Sequence, residues 1–256
     1  MSEDIKMTHT TGVPTWLALS STDPERSINF YRNLLGWEVE RSGPEFENNV
    51  NFRLDGKLVA SMSGHPSDVG SAWGVFLHTD DAAETALAAI ASGGAELFQS
   101  RISDIGTMVV LTDASGATVG AWQPGTHGGF EATRTPGAPA WHELHTTRFA
   151  EARDFYENVF EWSVQLLADS DQFRYATNES EELATAGILD ISTRPGPARS
   201  EWITYFAVAD ADAAADRVVE LGGTILEPPV DSPHGRVSHA LDATGARFTI
   251  IQESLT

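Results

Sequence analysis

The sequence predicts an α+β protein made of two tandem halves, each a pair of β-α-β-β-β modules. Three observations lead there. The chain repeats itself in register, the order of strand, helix and about three strands recurs four times, and a stretch rich in Gly, Pro and Thr separates the halves. "TWLALSSTDPERSINFYRNLLGW" (15 to 37) lies over "AWHELHTTRFAEARDFYENVFEW" (140 to 162). That alignment brings Trp16 onto Trp141, Phe30 and Tyr31 onto Phe155 and Tyr156, and Trp37 onto Trp162. "WGVFLHTDDAAETALAAIASGGAEL" (73 to 97) lies over "WITYFAVADADAAADRVVELGGTIL" (202 to 226), and "LTDASGATVGAWQ" (111 to 123) over "ALDATGARFTIIQ" (240 to 252). The halves so defined run over 12–124 and 139–253, with 125–138 as linker.

The elements follow in order. "TWLALSS" alternates like a half-buried strand and feeds "TDPE", where Thr22 is the expected N-cap, Pro24 the early helical position and Glu25 the capping-box acid. Ile28, Tyr31, Leu34 and Leu35 recur at helical spacing, and Gly36 closes the helix. In the third module Phe149, Ala152, Phe155, Val159 and Phe160 repeat that stripe. The second and fourth modules carry Ala-rich helices closed by Gly93-Gly94 and Gly222-Gly223. "LDGK" (54 to 57), "DASG" (113 to 116) and "DATG" (242 to 245) are turns between short apolar runs.

Composition narrows the function. With 37 acidic against 16 basic side chains the formal charge is −21, so a phosphate backbone would be repelled and nucleic acid is not an expected partner. No cysteine is present, which removes disulfides, thiolate metal ligands and cysteine nucleophiles. The N-terminus "MSEDIKMTHTTG" is polar, and no run approaches the ~18 apolar residues of a membrane helix. A cytoplasmic protein without a membrane partner is the expectation. P-loop, dinucleotide and nucleophile-elbow motifs are absent, and "HELH" lacks the spacing that puts two histidines on one helical face.

The four-fold β-α-β-β-β order, with "TDPERSINFYRNLLGW", "WITYFAVADADAAA" and strand-D-x-x-G-strand hairpins, resembles the vicinal oxygen chelate superfamily of glyoxalases, bleomycin-resistance proteins and extradiol dioxygenases. The resemblance is to its actinobacterial two-domain glyoxalase-like type and covers nearly the whole chain. It implies two glyoxalase-like domains, each a cup-shaped mixed sheet with helices outside. It also implies metal ligands at fixed places, which here fall on Trp16, Gly74 and Gly120 in the first half and on Trp141, Ile203 and Thr249 in the second. Trp, Gly and Ile side chains offer no lone pair to a divalent metal, and a Thr hydroxyl alone is a poor ligand. The family's metal therefore does not carry over, and no cofactor is expected. The remaining route to a metal is Glu143 with His145, a non-standard pair roughly 7 Å apart along a strand.

Strand parity puts Trp141, Glu143 and His145 on one face of "WHELH" and His142 and Leu144 on the other. By the family pattern the first face lines the cup, and the same count adds Tyr205 and Arg247. Arg247 is a candidate partner for Glu143, as an ion pair or in holding a polar ligand. His145 alternates between this site and a strand-end surface histidine, and His142 between packing and exposure. The first cup, lined by Trp16, Ala18, Ser20, Phe76, His78 and Trp122, is greasier. Trp37 and Trp162 read as core, whereas Trp16, Trp122 and Trp141 suit either core or a flat ligand.

The leading expectation is metal-independent binding of a small aromatic or polyketide-like molecule. Its ligand-binding residues would be Trp16, Phe76, His78, Trp122, Trp141, Ile203 and Thr249. The alternative is a glyoxalase-like lyase, isomerase or hydroxylase in the C-terminal cup, with Glu143, His145, Tyr205 and Arg247 as its catalytic groups and the Glu143 pKa raised towards neutrality. A third reading has the cups filled by their own side chains. Whether a cup is completed within one chain or by exchange in a homodimer is open at this stage.

Overall fold

A computed structural model describes residues 10–43, 48–180, 182–195 and 198–253. The first nine residues, which make up most of the polar lead-in, lie outside the described set. The first half contains β1 (Pro14–Ser20), α1 (Pro24–Leu35), β2 (Glu38–Arg41), β3 (Val50–Leu54), β4 (Lys57–Met62), β5 (Ala72–His78), α2 (Ala82–Ala91), β6 (Ala95–Ile102), β7 (Gly106–Thr112) and β8 (Thr118–Pro124). The second contains β9 (Pro139–Thr146), α3 (Phe149–Phe160), β10 (Gln165–Asp169), β11 (Arg174–Thr177), β12 (Ala186–Asp190), β13 (Glu201–Ala207), α4 (Ala211–Glu220), β14 (Thr224–Ser232), β15 (Gly235–Leu241) and β16 (Arg247–Glu253). Each half forms its own eight-stranded sheet, in the orders β2-β3-β4-β1-β5-β8-β7-β6 and β10-β11-β12-β9-β13-β16-β15-β14. The modules join through the antiparallel central pairs β1/β5 and β9/β13, while β1/β4, β5/β8, β9/β12 and β13/β16 run parallel. The α+β fold with two tandem glyoxalase-like domains is thus present, and both sheets are completed within the chain.

Local chemistry accounts for the elements. The N-cap of α1 is Asp23 rather than Thr22: its carboxylate accepts from the Arg26 N–H, and Pro24 follows at the first turn. The Thr22 N–H instead donates to Ser71. Asp113 and Asp242 build the two D-x-x-G turns by accepting backbone N–H groups two and four residues on. Gly36 takes the left-handed conformation (φ 76°) that ends α1.

The face of each sheet opposite its cup holds the core. Leu17, Leu19 and Leu144 are there at 0–1% exposure, and a single apolar cluster runs through both halves. Helix α1 packs on α4 and α2 on α3. Two pseudo-symmetric latches cross the junction. The Trp37 indole donates to the Gly137 carbonyl ahead of β9 (2.7 Å), and the Trp162 indole to the Gly12 carbonyl ahead of β1 (2.8 Å). Tyr156 donates to Asp113 of the other half (2.9 Å) and accepts from Trp202 (2.8 Å). Tyr31 accepts from Trp73 (2.8 Å) and its ring reaches Phe206 and Phe248 of the second half. Trp37 and Trp162 are accordingly core residues.

Candidate functional site in the C-terminal cup

β9 presents Trp141, Glu143 and His145 on one face, as strand parity requires. His142 faces away, stacked on Phe130 of the linker at 5.8 Å and 5°. His145 is 1% exposed, so it is not a surface histidine. Glu143 is 7% exposed, and its carboxylate has three donors. His145 Nε2 (2.7 Å) and the Tyr205 hydroxyl (2.9 Å) reach Oε1, while the Tyr175 hydroxyl (2.9 Å) reaches Oε2.

The register explains why these groups meet. Glu143 lies beside Gly187 of β12 on one side and Ile203 of β13 on the other, and Tyr205 lies beside both Trp141 and Thr249. Tyr175 on β11 crosses over Gly187, where any Cβ would overlap the phenol oxygen. Burial alone would push the Glu143 carboxyl up, but the His145 hydrogen bond and charge, with the two tyrosine hydroxyls, hold it below the ordinary carboxylate range. It is an ionised acceptor at neutral pH. Burial, followed by the nearby Glu143 charge, pushes both tyrosines up, so they remain protonated donors.

Several expectations change here. Arg247 does not pair with Glu143: its guanidinium binds Glu201 at 2.7 Å. The Glu143 oxygens are already taken, whereas Glu201, at the start of β13, offers Oε1 to Arg247 while its Oε2 lies 3.7 Å from Arg199. A carboxyl raised towards neutrality is also not found, because three donors outweigh burial. The Thr249 hydroxyl is bonded to His239 Nδ1 at 2.7 Å, and Ile203 is fully buried.

Sequence reasoning missed Tyr175, Gly187 and His239. His239 was countable: the D-x-x-G hairpin sets Leu241 against Arg247 and hence His239 against Thr249. Its ring stands 6.2 Å from those of His145 and Tyr205, and burial pushes its pKa down to about 4. Tyr175 carried no such signal, since its reach depends on two further strand registers and a missing side chain at position 187.

The N-terminal cup is packed by its own chain. Trp16, Phe76, His78 and Trp122 are 4–7% exposed. The Phe76 ring fills the space a Cβ at Gly120 would need, and the Trp16 indole donates to Ser61 (2.9 Å). His127 of the linker sits edge-on to Trp16 at 4.2 Å, its carbonyl accepts from Trp122 (2.9 Å), and Phe130 lies 5.8 Å from Trp16. His78 Nε2 is 3.3 Å from Asp80. Ala18 pairs with Gly74 and Ser61, and Ser20 is exposed at the strand end. A ligand there would have to displace His127 and Phe130. Two grooves of about 570 and about 550 Å³ flank α1 and β2 and share Asn29, Arg32 and Val39; neither reaches Glu143.

The positions where the fold implies a metal hold the wrong atoms. Around Gly74 and Gly120 stands the Phe76 ring, Trp16 and Trp141 present indoles, and the Thr249 hydroxyl is engaged by His239. Among the described residues no group of three or more His, Asp or Glu side chains is arranged to hold a metal ion. These residues do not fit the group, and no step is derived through it.

Four β-α-β-β-β modules in two mixed sheets constitute the vicinal oxygen chelate fold. The 2,3-dioxygenase LapB from Pseudomonas sp. KL28 shares it with a TM-score of 0.65 at 18% identity, over 96% of this chain and 94% of that one. The Mn(II)-bound glyoxalase from Novosphingobium aromaticivorans does so with a TM-score of 0.64 at 15% identity, over 95% and 84%. At those identities the likeness concerns the fold alone. In sequence, the model of the Glyoxalase/Bleomycin resistance protein/Dioxygenase superfamily matches residues 138–250, and that of the Glyoxalase-like domain matches 16–120. "Anthracycline biosynthesis protein DauV" of a Streptomyces species is 33% identical over 262 residues, covering 94% of this chain and 93% of its own. The chain belongs to the glyoxalase/bleomycin resistance/dioxygenase superfamily.

Proposed function

We propose that the C-terminal cup binds a small, hydroxylated aromatic or polyketide-like molecule without a metal. The observation that carries this is the buried, ionised Glu143 carboxylate, held by His145 and Tyr205 beside the partly exposed Trp141 ring. An acceptor of that kind orients a hydroxyl by a charge-assisted hydrogen bond, and flat apolar walls suit a fused ring system. The relative named for anthracycline biosynthesis supports a ligand of this kind. Partner and location follow the same reading: a small molecule, no nucleic acid, and a cytoplasmic site of action. No described helix is long and apolar enough to cross a membrane.

The test is fluorescence titration of untagged protein with a dihydroxyanthraquinone, with metal content measured and chelator added. Binding of one molecule per chain, unchanged by chelator and weakened about tenfold or more by Trp141→Ala, is expected for loss of an aromatic anchor. Binding that needs added Mn, Fe, Ni or Zn would sink the metal-free reading, and unchanged affinity in the variant would sink the pocket.

A second reading, a glyoxalase-like enzyme of the lyase, isomerase or hydroxylase class, is favoured by the short Glu143–His145 contact and the neighbouring neutral His239. In it Glu143 orients His145, because a carboxyl held low is a weak general base. Arg247, bound to Glu201, is then a mouth residue rather than a partner of the base.

A further inference from the structure

The two oxygens of Glu143 are held differently. Both donors to Oε1, His145 and Tyr205, stand on β9 and β13, the central antiparallel pair of the sheet. The donor to Oε2, Tyr175, comes from a four-residue strand two places out from β9, in the outermost hairpin. That hairpin is bulged between Leu166 and Ala168. The Tyr175 ring lies across the bare Gly187 backbone and is stacked on Phe173 (6.0 Å, 9°), itself 53% exposed. A phenol whose oxygen end lies over a bare glycine thus donates to a buried carboxylate.

We infer that Tyr175 is an internal stand-in for the ligand: the C-terminal cup recognises a phenolic hydroxyl, which takes the place of the Tyr175 hydroxyl on Glu143 Oε2 as that side chain swings outward beside Phe173. The inference rests on the ligand-binding reading above and deepens it to a chemical class, aryl hydroxyls. The chemistry favours the exchange. Both phenols make the same O–H···O⁻ bond, and a hydroxyanthraquinone or catechol is a more acidic donor than tyrosine, so its bond to the carboxylate is the stronger. Glu143 stays fully bonded in both states, since Oε1 keeps His145 and Tyr205 throughout. Gly187 supplies the floor on which either ring lies.

The experiment compares wild type and Tyr175→Phe, each titrated with a dihydroxyanthraquinone and with its dimethyl ether. Removing the internal competitor should tighten binding of the dihydroxy compound about tenfold, the scale of a hydrogen bond to a charged group. The dimethyl ether should bind both proteins weakly and nearly equally. In wild type labelled with ¹³C at the tyrosine ring carbon bearing oxygen, the resonance that Tyr175→Phe removes should move when the dihydroxy compound binds. Equal or weaker binding by the variant, an unmoved resonance, or an ether that binds as well as the diol would each overturn the stand-in while leaving metal-free binding intact. Failure of both proteins to bind either compound would overturn this inference and the ligand reading together.

Discussion

Glu143 shows how one residue's environment sets its behaviour. A carboxylate 7% exposed would be costly to ionise without partners, and here three hydrogen bonds reverse the sign of the shift. Its folded pKa lies below the ordinary 4.5, so its contribution to stability is complete above about that pH and is lost as pH falls through the folded value. Glu143→Gln removes that contribution. The gap in urea midpoint between wild type and Glu143→Gln should be widest near neutral pH and close in acid; a gap independent of pH would mean the carboxyl is neutral in the folded protein. Trp141, Glu143 and His145 were legible as one constellation because a strand's alternation is a local property.

At the scale of the element, β9 has two buried faces with opposite chemistry. On the face away from the cup, His142 is 4% exposed, stacks on Phe130, and has no partner for Nδ1 among the described residues. Burial pushes its pKa down to about 3. Protonation is therefore disfavoured in the fold, and stability declines as pH falls below the unfolded value of about 6.5 towards 3, by about 2 kcal/mol at pH 5. His142→Phe keeps the stack and removes the titration. Its unfolding midpoint should match wild type near pH 8 and exceed it near pH 5; equal midpoints at both would show the imidazole is not held neutral. His239, also held low, keeps part of the acid sensitivity in either protein. The same alternation predicted which side chains share a face but not that His142 would meet the linker, because the linker's path depends on where both sheets end.

For the whole molecule, the shared core and the crossed latches tie the halves into one unit. Tyr156 bonds its own half's Trp202 and the other half's Asp113, whose carboxyl burial pushes up despite its hydrogen bonds. Tyr156→Phe leaves both partners buried and short of a bond, a loss of about 2–4 kcal/mol. Urea unfolding should show one transition by tryptophan fluorescence and by far-UV circular dichroism, moved to lower urea in the variant. Two separate transitions in wild type would show that the halves fold independently.

The repeat, the four modules, the D-x-x-G turns, the structural role of Trp37 and Trp162 and the inward face of "WHELH" were all written in the sequence. Each rests on the internal repeat, on periodicity or turn chemistry within a few residues, or, for the inward face, on the family pattern. The Asp23 cap is a local contact with Arg26 that the choice of Thr22 overlooked; tertiary structure alone decided Arg247 on Glu201, His127 packed into the first cup, and Tyr175 reaching Glu143 across Gly187. Those outcomes depend on strand register, a bulge and the reach of long side chains between segments far apart in sequence. No local pattern encodes them. They determine which donors surround the carboxylate and therefore whether it is a base or an acceptor.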